Sequence, residues 1–178
     1  ADGTGRKQVS FEAEGVDDYL FSPCGNKVIL IKGVAHEASI QKNDEDLALS
    51  TGIVANDLMY KHWDHYTKSA PHPFVADFDG NKVSGAKDLL EGEPYESPML
   101  PFGGAEQLAW SPDGKQIAYT CRKLSGIDYA ISTDSDIFLY DIESGETKNL
   151  CKPEGYVRPA CDPTRSLKNQ AVNQFQED

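Results

Sequence analysis

The chain of 178 residues is poor in positive charge, with 17 lysines and arginines against 29 aspartates and glutamates and a formal net charge of -12. Such a chain repels phosphate backbones and anionic headgroups, which argues against nucleic acid and membrane surfaces as partners. It has no apolar run near the roughly 20 residues needed to span a bilayer, and residues 1–10 lack the apolar stretch of a signal peptide. Its four cysteines, Cys24, Cys121, Cys151 and Cys161, form no C-x-x-C pair, so zinc-binding spacing is absent and free thiols are the simpler reading. It contains no Gly-x-Ser-x-Gly, the strained elbow that presents a nucleophilic serine in α/β-hydrolases. What is plentiful is turn chemistry, 15 glycines and 10 prolines, beside 39% hydrophobic residues, enough for a core built of short elements.

An internal repeat organises the chain. Phe21-Ser22-Pro23-Cys24-Gly25, followed by Val28 to Ile31, matches Trp110-Ser111-Pro112-Asp113-Gly114, followed by Ile117 to Thr120. Each copy reads as an aromatic, a tight turn and a strand, because proline presets φ at the second turn position and glycine accepts positive φ. Cys24 stands where the second copy has Asp113, so the first turn lacks a side-chain acceptor. Further strands are expected at Phe74 to Phe78 and Ile137 to Ile142, then near Ala86 to Leu90 and Thr147 to Cys151, giving four antiparallel strands per unit. The fold class is therefore all-β, with two consecutive four-stranded units.

The expected boundaries are the end of a preceding unit at 1–14, a first unit at 15–91 interrupted by an insertion at 33–73, and a second at 105–151 with a smaller insertion at 123–134. Within the larger insertion Leu58, Met59, Trp63 and Tyr66 share one face of a short helix over Asn56 to Tyr66. Residues 158–178 read as a degenerate repeat start and a frayed, polar tail.

Ala109 to Tyr119 and Ser135 to Asp141 resemble a blade of the Ser-Pro-Asp-Gly β-propellers shared by TolB and the prolyl oligopeptidase family. Leu58 to Asp64, Pro71-His72-Pro73-Phe74 and Gly92-Glu93-Pro94-Tyr95-Glu96-Ser97-Pro98 are similar to the N-terminal propeller of bacterial dipeptidyl or acylaminoacyl peptidases of that serine peptidase family, over residues 1–157. The resemblance implies a partial propeller that gates peptide access to an α/β-hydrolase domain outside this chain, no catalytic residue and no cofactor here, and a periplasmic or secreted setting. Implied partners are the rest of the propeller and a peptidase domain, or self-association; the alternative is a freestanding TolB-like interaction module.

Such peptidases hold a substrate's α-amino group with acidic side chains, which makes Glu91, Glu93 and Glu96 the candidate substrate-binding residues, against the reading of a solvated loop face. His62 and His65, with Asp64, could face a metal on the helix, but no third ligand is evident and no metal is assigned. Asp77-Phe78-Asp79-Gly80-Asn81 reads as a hairpin turn, since the terminal glutamate of a calcium loop is missing. Trp63 and Trp110 are assigned to packing.

Overall fold

The computed structural model describes residues 4–35, 58, 67 and 69–151. They form two four-stranded antiparallel sheets, ordered β1-β2-β3-β4 and β5-β6-β7-β8, so every strand pairs with its neighbour in sequence. The first sheet holds β1 (Asp18–Phe21), β2 (Lys27–Ala35), β3 (Ser69–Phe78) and β4 (Val83–Asp88); the second holds β5 (Leu108–Trp110), β6 (Gln116–Cys121), β7 (Asp136–Asp141) and β8 (Thr147–Asn149). One short helix, α1 (Gly126–Ile131), lies in the smaller insertion.

The two Ser-Pro turns sit as the repeat requires. Gly25 N donates to Ser22 O and Gly114 N to Ser111 O, both at 2.9 Å, with φ of +69° and +71° at the glycines. In the second turn Asp113 Oδ1 accepts bonds from Ser111 Oγ (2.6 Å) and Lys115 N (3.0 Å). With cysteine in that place the first turn keeps only the serine bond, Lys27 N to Ser22 Oγ at 3.1 Å, and Ser22 Oγ meets Asn26 Oδ1 at 3.4 Å. Asp79 likewise closes the β3–β4 hairpin, accepting from Asn81 N and Lys82 N at 2.7 Å.

The strands at the larger insertion run further than the sequence suggests. Residues 33–35 belong to β2 and 69–73 to β3, paired from Lys27↔Asp77 to Ala35↔Ser69. Pro71 and Pro73 mask the strand in sequence, yet both occupy positions whose missing N–H points away from β2: their carbonyls accept from Ser97 N and Leu89 N on the other side. β4 starts at Val83 rather than Ala86, and residues 4–17 contribute no strand, although Val9 O accepts from Val83 N at 2.7 Å. The helix expected over Asn56 to Tyr66 and the tail 158–178 lie outside the described residues.

The main core lies between the sheets. Ile29, Ile31 and Val75 of the first face Leu108, Ile117, Tyr119, Phe138 and Tyr140 of the second, and Leu89 and Leu90 fill the join. A second cluster, Val28, Leu30, Ala76 and Val83, occupies the opposite face of the first sheet under Val9 and Val16. Superposing the turns makes Val28 and Leu30 the counterparts of Ile117 and Tyr119, and the ladders make Phe74 and Ala76 the counterparts of Phe138 and Tyr140. The second sheet thus packs on the first with the same face that the first turns outward, so the units stack in one sense. The half-buried Trp110 ties this seam, its Nε1 donating to Leu20 O at 3.0 Å. Cys24 Sγ reaches Asp113 O at 3.8 Å, which brings the two turns together.

Candidate functional site

The segment between β4 and β5 carries the three candidate carboxylates and is laced to both sheets. Ser97 N donates to Pro71 O and Ser97 Oγ to Thr120 O, each at 2.9 Å. Met99 N donates to Gln107 Oε1 at 2.8 Å and Gly103 N to Met99 O at 2.9 Å. At Gly103 a Cβ would lie 2.2 Å from Met99 O, so only glycine lets this loop close on itself.

The carboxylates do not share one environment. Glu91 is exposed. Glu93 is half-buried, with Lys123 Nζ at 2.8 and 2.5 Å from its two oxygens, and the lysine also lies 4.7 Å from the Phe138 ring centroid. Glu96 is buried and accepts the hydroxyl of buried Tyr129. Tyr129 belongs to α1, and the Arg122 guanidinium stands 4.7 Å from its ring. Burial first, then the bond to Glu96, pushes the Tyr129 hydroxyl above its ordinary range. The structure therefore fastens Glu93 and Glu96 to the 122–131 segment and leaves Glu91 facing solvent.

His72, which entered the sequence reading only within the Pro71-His72-Pro73-Phe74 resemblance, is another buried polar group. Its Nδ1 lies 2.8 Å from Asp88 Oδ2, while Asp88 Oδ1 accepts from Leu90 N at 2.8 Å. The pair ties β3 to the end of β4, and among the described residues no serine or cysteine side chain is hydrogen-bonded to this histidine. No group of three metal-ligating side chains converges among the described residues, and His62, Asp64 and His65 lie outside them. Neither the Tyr129–Glu96 nor the His72–Asp88 pairing had a local signal, since the partners are 33 and 16 residues apart.

A cleft of about 320 Å3 opens where the first sheet meets this segment. Ile31, Pro71, Pro98 and Leu100 give it apolar walls, and Asp17 and Asp18 stand at its rim. Cys24 is exposed and free; Cys121 is buried, which pushes its thiol up to about 12. Among the described residues no helix is long and apolar enough to cross a membrane.

No protein-family profile matches the chain. It is 44% identical over 136 residues to dipeptidyl-peptidase 5 of Porphyromonas gingivalis, covering 76% of this chain and 20% of that protein. It is 42% identical over 149 residues to the dipeptidyl-peptidase 5 of Porphyromonas endodontalis, covering 84% of this chain and 22% of that protein. A probable dipeptidyl-peptidase 5 of Aspergillus niger is 24% identical over 173 residues, 85% of this chain and 24% of that protein. The chain spans about a fifth of the length of the curated relatives it matches.

Proposed function

We propose that this chain is a propeller segment of a serine exopeptidase of the dipeptidyl-peptidase type, which shapes peptide access to a catalytic domain outside it. The observation that carries the reading is the match to two bacterial dipeptidyl-peptidases at 44% and 42% identity over most of the chain. Two four-stranded antiparallel sheets stacked in one sense are what consecutive propeller blades require, and the repeated Ser-Pro turns set their spacing. The partners on this reading are the remaining blades and the catalytic domain, and the setting is periplasmic or secreted.

The α-amine of a peptide would be held by the acidic segment at residues 91–96. Glu91 is free to do so as it stands, Glu93 only by exchanging its lysine, and Glu96 only by leaving Tyr129. Dipeptidyl and acyl-peptide chromogenic substrates, with a fluorophosphonate probe for active serines, test the proposal. The polypeptide of 178 residues should show neither turnover nor labelling, and the full-length gene product both. Stoichiometric labelling of a serine within this chain would overturn it.

A further inference from the structure

The open edge of β2 beside the cleft points to a second peptide contact, independent of the carboxylates at 91–96. Phe78 N donates to Asn26 O, so the even-numbered residues of β2 exchange bonds with β3. Ser22 N donates to Lys27 O and Asp17 N to Ile31 O, so the odd-numbered residues turn toward β1. β1 stops early: its pairing begins at Asp18↔Ile31, whereas β2 continues to Ala35. Gly33 and Ala35 thus direct their N–H and C=O groups into the space beyond the start of β1, and among the described residues neither group has a partner there. Unpaired strand edges of this kind recruit extended peptides by adding a strand.

The charge beside that edge selects the occupant. Asp17 and Asp18 are exposed at the rim of the cleft and form no ion pair among the described residues; Asp18 Oδ1 accepts only the adjacent Tyr19 N at 2.8 Å. Among the described residues no lysine or arginine lines the cleft, and the nearby Lys32 is committed to Glu12 at 2.6 Å. Apolar walls below two carboxylates suit a long aliphatic stem that ends in a cation. We propose that an extended peptide segment bearing a lysine or arginine docks here, its backbone pairing with Gly33 and Ala35 in continuation of β1. Its basic side chain lies along Pro71 and Leu100 with its charge against Asp17 and Asp18. The inference needs no catalytic domain and stands whether or not the peptidase reading holds.

The test is fluorescence anisotropy of the 178-residue polypeptide with an end-blocked peptide, acetyl-Ala-Val-Lys-Val-Ala-amide carrying a reporter dye. Saturable binding that weakens with added salt is expected, together with slowed amide exchange at Gly33 and Ala35. The norleucine analogue, and the Asp17→Asn/Asp18→Asn variant with the lysine peptide, should each bind roughly fivefold or more weakly, the scale of exposed ion pairs. A peptide N-methylated at alternate residues should bind more weakly still, because it cannot complete the ladder. Equal affinity for the norleucine peptide, equal affinity for the N-methylated peptide, equal affinity for a free-amine peptide without a basic side chain, or no binding at about millimolar peptide would each overturn the proposal. Both aspartates are exposed, and an unchanged thermal melt of the variant shows that it remains folded.

Discussion

Replacing Trp110 by phenylalanine isolates the bond that ties the two sheets across their seam. The substitution keeps an aromatic on β5 but removes the indole N–H that donates to Leu20 O at 3.0 Å. One net hydrogen bond contributes about 1 kcal/mol. The smaller ring also gives up roughly 40 Å2 of apolar contact with the inter-sheet core, another kcal/mol or so at about 25 cal/mol per Å2. The expected loss is about 2 kcal/mol, which for a domain of this size lowers a thermal midpoint by roughly 4 to 8 °C. Urea denaturation followed by circular dichroism gives the free energy. Phe21→Leu is the internal comparison, because Phe21 occupies the same repeat position in the first unit but is exposed; it should cost far less. A loss below about 0.5 kcal/mol for Trp110→Phe, or an equal loss for the two variants, would show that the seam does not depend on the indole.

Tyr129→Phe removes the hydroxyl that meets buried Glu96 and should cost about 1.5 to 3 kcal/mol, the range for a bond to a charged group; α1 should then lose protection in hydrogen exchange. Turn hydrogen bonds hold the carboxyls of Asp79 (from Asn81 N), Asp113 (from Ser111 Oγ) and Asp141 (from Ser144 N) below the ordinary 3.8. A depressed folded value means stabilisation that is complete above the ordinary value and lost as pH falls through the lower one, so the contribution of these three turns should persist down to about 3.8 and fade below it, and the three carboxyls should titrate late by NMR. In the native chain at pH 8, a thiol reagent should modify exposed Cys24 readily and buried Cys121 only after denaturant is added.

The strands were legible wherever local chemistry was sufficient. The Ser-Pro turns fixed the starts of β2 and β6, and β-branched runs marked β3 and β7. Prolines hid the first five residues of β3, because a sequence shows that Pro71 and Pro73 lack a donor but not which way the donor would have pointed. α1 was missed for a related reason: its six residues carry exposed Ile127 and Ile131 around one buried tyrosine, too short a pattern to declare a face. The acidic segment was recognised as a cluster, but its division into exposed Glu91, lysine-bound Glu93 and buried Glu96 depends on residues of the second unit. The cleft was invisible altogether, since it exists only where β1 ends before β2 and a distant loop supplies the other wall.

Sheets that all face the same way make an array with no built-in last member: each addition covers one surface and presents another of the same kind. Two-fold pairs are self-limiting; a stack of this type is not, and it stops only by closing into a ring or by acquiring a terminator. At the outer side of the first sheet, the described residues include a partial apolar cover. The irregular stretch carrying Val9 and Val16 lies over Val28, Leu30, Ala76 and Val83 and donates no ladder of its own. It covers part of that sheet face with a few apolar side chains.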